Sequence, residues 1–162
     1  MGKYDYLKKY VNIADSKANE NSFYTVQPEE ILEAEEKLTF NFPKSLKEFW
    51  LEIGYGFFRA SIPEKNIQHA VWSNRLVHPL DIASIMLEGE DSGLITSEGI
   101  EMLQEGHMPF FEVGDSTSYL VMRPESDTPN AVYWYDTLIE DSLETFIWKL
   151  YHESPIYYLN KV

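Results

Sequence analysis

Between Pro28 and Gly56 the chain carries two short apolar stripes at helical spacing, separated by a Phe-Pro break. Pro28 suits the first turn of a helix, where its missing N–H forfeits no bond, and Glu29 and Glu30 complement the positive end. Ile31, Ala34 and Leu38 then line one side. Phe42-Pro43 interrupts the pattern. Leu46, Phe49, Trp50 and Ile53 follow at i, i+3, i+4 and i+7, the spacing of a core-facing stripe. Gly54 and Gly56 are expected to end this helix in a left-handed conformation. Two helices so short and so tightly linked must pack on something else, and a sheet is the natural platform.

The remaining chain supplies strands. Residues 57–62 and 67–72 are short and rich in aromatic or branched side chains. Pro79 opens a helical stretch expected to place Leu80, Ala83, Met86 and Leu87 on its packed side, and Ser97–Gln104 reads as a shorter helix weakened by Gly99. Met108–Asp136 reads as a three-strand meander, with turns at Gly114–Thr117 and Pro124–Asn130. Asp141 is the expected N-cap of a last helix, with Glu144 completing a capping box and Leu143, Phe146, Ile147 and Leu150 facing inward. Pro155 ends it, and Ile156–Leu159 adds a strand or docks on the core. Before Pro28, Leu7, Val11 and Ala14 could share one face of a short helix, and Ser16–Ser22 reads as a loop. Residues 1–27 are therefore read as an N-terminal extension and residues 28–162 as the domain. Helices, then strands, then a helix predict an α+β fold with a mostly antiparallel sheet.

Charge narrows the function classes. Acidic residues number 27 and basic residues 13, a net charge of −14. Between Leu76 and Trp148 there are fifteen acidic residues and one basic residue, Arg123, while the rest of the chain is balanced. A nucleic-acid or anionic-membrane binder carries the opposite sign, and no basic patch is present to offset it. There is no cysteine, which excludes disulfide scaffolds, thiolate catalysis and Cys-based metal sites. No apolar run approaches the roughly 20 residues of a membrane span. The N-terminus lacks the apolar core of a signal peptide, and Tyr6 stands where a myristoylation motif wants Ser or Thr. A cytoplasmic location is the expectation.

Chemistry-bearing constellations are sparse. His69, His78, His107 and His152 show no metal-ligand spacing, and neither metal nor cofactor is expected. Gly114-Asp115-Ser116 matches the GDS block of one lipase family, with Ser116 as the would-be nucleophile. A triplet of ordinary turn composition between two strands reads as a turn. Carboxylate pairs such as Asp136 with Glu140, or Glu98 with Glu101, are expected from abundance alone. No phosphate-cradling glycine pattern occurs. The reading is a protein without catalysis of its own.

Several segments together resemble a known family. Glu35-Glu36-Lys37-Leu38, then Phe42-Pro43-Lys44-Ser45-Leu46-Lys47-Glu48-Phe49-Trp50, then Gly54-Tyr55-Gly56, resemble the N-terminal signature of the SUKH superfamily. Phe111–Asp115, Val132–Asp136 and Ser142–Ile147 also fit it. Phe42 stands where a Leu is usual, and Tyr55 separates the glycines; both departures bear on packing. The resemblance implies an α+β domain that binds proteins. Bacterial members of the family look like immunity proteins that neutralise a toxin, often a nuclease with a basic surface; the alternative is a regulatory or scaffold domain of the Smi/Knr type. On that footing Glu88, Glu90, Asp91, Asp115, Asp136, Glu140 and Asp141 are the candidate partner-binding acids, because they fall in loops or at element ends. Trp72, Tyr119, Tyr133 and Tyr135 are the candidate aromatic anchors. The expected partner is a basic toxin protein, with no direct nucleic-acid or membrane contact.

Overall fold

The computed structural model describes residues 2–62, 67, 73–114 and 118–162. The two N-terminal stripes form the helices expected of them. α1 spans Pro28–Leu38 and buries Ile31, Ala34 and Leu38. Glu30 reaches back to the Gln27 N–H at 2.9 Å, and Thr39, in a left-handed conformation (φ 65°), closes the helix. α2 spans Lys44–Glu52 and buries Leu46, Phe49 and Trp50. Glu35 secures the link between them by accepting from the Phe42 N–H at 2.8 Å and pairing with Lys47 at 3.1 Å.

Seven strands form one sheet in chain order, each antiparallel to its neighbours. They are β1 (Ser22–Tyr24), β2 (Tyr55–Phe57), β3 (Ser73–Leu76), β4 (Met108–Gly114), β5 (Ser118–Met122), β6 (Val132–Trp134) and β7 (Thr137–Glu140). The glycine pair after α2 does not make a left-handed helix end. Gly54 and Gly56 sit at φ 126° and 146°, and a Cβ on either would strike a carbonyl oxygen of β1, that of Tyr24 or Ser22. Glycine is required here because two backbones approach too closely for a side chain. That approach draws the N-terminal segment into the sheet. Ser22, expected in a loop, begins β1. Tyr4 and Leu7 join the main core, with Leu7 in a 3-10 helix at Asp5–Tyr10, while Ala14 is exposed.

Three further expectations shift. The strand read at 57–62 is β2 at Tyr55–Phe57 followed by an isolated Ala60–Ile67 bridge, and residues 68–72 lie outside the described residues. The meander has a fourth strand, because Tyr135 (φ 51°) turns the chain tightly from β6 into β7. A bulge between Pro109 and Phe111 leaves Phe110 as the extra residue of β4, so both phenylalanine rings approach Phe146, at 6.1 and 5.3 Å between centroids.

Side-chain alternation assigns the two sheet faces. Arg75, Glu112 and Tyr119 are cross-strand neighbours on one face. Over it lie α3 (Pro79–Glu88), a 3-10 turn at Gly89–Ser92 and α4 (Ser97–Met102). The Tyr119 hydroxyl donates to the Leu94 carbonyl at 2.6 Å, and Arg75 comes within 4.0 Å of Asp81 on α3. On the opposite face, Leu76 and Phe111 pack beneath α5 (Leu143–His152), and the C-terminal 3-10 helix Tyr157–Lys161 docks there through a Tyr158 hydroxyl bond to Asn74. The N-cap of α5 is Ser142, whose hydroxyl accepts from the Thr145 N–H at 3.1 Å, and not Asp141. α3 also differs from expectation: it buries Pro79, Ile82, Ala83 and Ile85, leaving Met86 and Leu87 exposed. The molecule is a single α+β arrangement of helices on an antiparallel sheet.

Candidate partner-binding surface

The acid-rich half divides into interior and exterior carboxylates. Glu112, on β4, is buried and held by the Arg75 Nε at 2.6 Å. Glu140, on β7, is also buried, which corrects its assignment to an exposed element end. It accepts from the Tyr157 hydroxyl at 2.7 Å and pairs with Lys149 and Lys161 at 3.1 and 3.4 Å. Burial alone raises the pKa of its carboxyl, but the Tyr157 and Lys149 hydrogen bonds and the charges of both lysines outweigh it and hold the group below its usual range.

The aromatic candidates are mostly structural. Tyr119 is buried with its hydroxyl on Leu94, and Tyr135 is buried with its carbonyl accepting from Arg123 at 2.7 Å, so neither ring is free to anchor a partner. Tyr133 is half-buried under the Arg123 guanidinium, 3.7 Å from its ring centroid. Trp72, Asp115 and Ser116 lie outside the described residues. Among the described residues no group of three or more His, Asp or Glu side chains is placed to hold a metal ion. Nor is any described helix long and apolar enough to cross a membrane.

The exterior acids gather along the layer over the Arg75–Glu112 face. Glu88 ends α3, Glu90 and Asp91 form the following 3-10 turn, and all three are exposed. Gly89, at φ 58°, lets the chain turn there with its α-carbon facing Ile100 of α4, which joins the turn to the next helix. α4 starts at Thr96, whose hydroxyl accepts from the Gly99 N–H at 3.1 Å, and it carries Glu98 and Glu101 outward. Glu105 follows in the loop to β4. Among the described residues none of these six carboxylates lies within ion-pair distance of a cation. Exposed Met86, Leu87 and Met102 belong to the same two helices. Apolar side chains beside a charged rim are how protein interfaces are commonly built. The sequence placed Met86 and Leu87 on the packed side because residues 79–87 are almost continuously apolar, so periodicity does not select a face. Asp141 is exposed beside the α5 cap, and Asp136 is exposed in the β6–β7 turn, 3.9 Å from the Arg123 Nη2.

Beyond α4 the acidic loop opens onto a cavity of about 310 Å³ lined by Gln104–His107, Arg123, Glu125, Ser126 and Asp136. His107, in the loop just before β4, is 6% exposed. Its burial and the nearby Arg123 guanidinium push the imidazole below its usual pKa, against the opposing pull of Asp136. Nothing in the sequence pairs residues 104–107 with 123–126; the β4–β5 pairing of Met108 with Met122 brings their ends together.

The matched segments agree with this architecture. The model of the SMI1 / KNR4 family (SUKH-1) matches residues 25–149. The chain is also similar to a curated protein named "Immunity protein YxxD" from Bacillus subtilis (strain 168), with 32% identity over 142 residues that cover 87% of this chain and 90% of that protein. No solved structure matches it. With the family match extending from α1 into α5, and an α+β sheet-and-helix fold beneath it, the chain belongs to the SMI1 / KNR4 family (SUKH-1).

Proposed function

We propose that this protein is an immunity protein that binds a cognate toxin and neutralises it, without catalysing a reaction of its own. The observation that carries the reading is the run of exposed carboxylates from Glu88 to Glu105, with no ion pair among the described residues, set beside Met86, Leu87 and Met102. Its similarity to a protein named as an immunity protein supports it. The partner is a basic toxin domain, of which a nuclease is the natural example, because a surface made to hold phosphates is complementary to carboxylates. Attraction between the two faces would speed encounter by about 10- to 1000-fold and weaken as salt rises. Once docked, the protein blocks the toxin's substrate path and needs no contact with nucleic acid itself. The encounter takes place in the cytoplasm.

Co-expression with the toxin domain encoded beside this gene tests the reading. An E90K/D91K/E98K/E101K variant should stay folded and lose protection, with binding weakened by about 100-fold or more. A folded variant that still protects and binds fully would overturn the acidic-surface mechanism. A gene neighbourhood without a toxin would favour the regulatory role instead.

A further inference from the structure

We infer that Arg59 is a docking point for one aspartate or glutamate side chain of the partner protein, gripped by its guanidinium at the β1–β2 margin of the sheet face that carries the acidic layer. The inference rests on the proposed immunity reading and adds to it one contact of opposite sign. The chain has three arginines against 27 acidic residues. Arg75 holds Glu112 at 2.6 Å, and Arg123 lies 3.9 Å from Asp136. Arg59 has no carboxylate within ion-pair distance among the described residues. Its guanidinium lies 3.9 Å from the centroid of the Phe57 ring, and its Nε is buried without a hydrogen-bond partner. An unpaired buried donor and an unpaired desolvated cation are both costly. Burial accordingly pulls the Arg59 pKa below the ordinary arginine value, against an opposing pull from Tyr24.

The fold presents this cation as a fixed fork. Buried Asn21 pins the backbone: its Oδ1 accepts from the Arg59 and Ala60 N–H groups at 2.6 and 3.0 Å, and its Nδ2 donates to the Ala60 carbonyl at 2.9 Å. Stacking on Phe57 orients the guanidinium plane. Nη1 and Nη2 make no hydrogen bond among the described residues and are not closed off as Nε is, so they form the open end. Two N–H groups side by side match the two oxygens of a carboxylate. Sheet register places the fork. Phe57 stands opposite Ser22 on one side and Arg75 on the other, and Arg75 stands opposite Glu112, so Phe57 belongs to the face overlaid by α3 and α4. Tyr24, two residues beyond Ser22 on that face, is 41% exposed with its hydroxyl 3.5 Å from the Ser22 Oγ, which sets a second donor on this margin. A free anion would approach alone against a net charge of −14. A carboxylate carried on a basic protein arrives with the attraction that its neighbours feel for the α3–α4 layer, which selects a partner's side chain over a phosphate or a free acid. One positive point beside many negative ones also fixes which way round the partner docks.

The test measures binding of the full-length protein to an inactivated form of the toxin domain encoded beside its gene. Arg59→Gln should unfold in urea near the midpoint of the unaltered protein and bind about tenfold more weakly; Arg59→Lys, which keeps the charge but not the fork, should fall between the two. Each Asp and Glu of the toxin domain is then changed in turn to Asn or Gln. One such change should weaken binding to the unaltered protein by about tenfold and binding to Arg59→Gln by less than about twofold. Full binding by Arg59→Gln, or a loss with no toxin carboxylate coupled to it, would overturn the docking point. Should Arg59→Gln prove unstable, the same scan against Arg59→Lys decides the matter. Comparison with E90K/D91K/E98K/E101K separates the two readings. If that variant loses binding and Arg59→Gln does not, the acidic surface stands and the docking point falls; the reverse pattern keeps the docking point and removes the acidic surface; if both bind fully, both fall.

Discussion

Two groups of carboxylates from the same stretch of chain meet opposite fates. Glu112 and Glu140 lie inside, each held by cations contributed from outside the acid-rich stretch: Arg75 precedes it, and Lys149 and Lys161 follow it. Glu98, Glu101 and Glu105 lie outside with no described cation in range. One residue type therefore serves two purposes. The interior acids fasten strands to neighbouring elements, where losing a partner is expensive. The exterior acids repel one another, add little to stability and remain free to meet something else.

The largest effect should come from breaking an interior pair from its cationic side. Arg75→Ala leaves Glu112 buried beside an empty space and should cost about 3–5 kcal/mol in urea unfolding. A loss under about 1 kcal/mol would mean that Glu112 is satisfied without Arg75, and the contrast between the two groups would weaken.

Glu140→Gln should cost less, about 2 kcal/mol near neutral pH, since it removes charge-assisted hydrogen bonds but leaves a polar side chain. Its pH dependence carries a sign. The folded carboxyl titrates below its ordinary value of 4.5. The unfolded chain therefore takes up the proton first as pH falls. The stabilisation is complete above that ordinary value and disappears as pH drops through the folded pKa. Unfolding curves of the unaltered protein and of the Glu140→Gln variant should converge in acid and separate above it; a constant gap across that window would refute the assignment.

The smallest effect belongs to the exterior group. Glu98→Gln with Glu101→Gln should change stability by less than about 0.5 kcal/mol, with a slight gain from relieved repulsion that fades in salt. A loss above about 1 kcal/mol would show that these acids hold α4 in place, and would blur the distinction.

The helices were the most legible elements. α1, α2 and α5 bury the stripes that their spacing announced, because a helical period of apolar residues has one economical use in water. α3 was legible as a helix but not in its orientation. β1 and β7 were missed. β1 is three residues whose place depends on glycine contacts with a segment far along the chain, and β7 exists because Tyr135 adopts a positive φ that a tyrosine rarely takes. At the surface, the exposure of Glu88, Glu90, Asp91, Asp136 and Asp141 followed from their place at loops and element ends. The same argument failed for Glu140, which lies at a strand end that the C-terminal 3-10 helix covers. Tyr119 and Tyr135 failed as anchors because an aromatic in a strand serves the core as readily as an interface.

Sequence alone determined the α+β class, the family resemblance and the concentration of negative charge in one half, because periodicity, turn chemistry and composition are properties of neighbouring residues. Tertiary structure decided which carboxylates are held inside and which stay open at the surface. A carboxylate is spent or spare according to whether a cation from a distant segment reaches it, and sheet pairing, the burial of α3 and the docking of the C-terminal 3-10 helix settle that together. The cavity at His107 arose in the same way, from two loops joined by the register of β4 and β5.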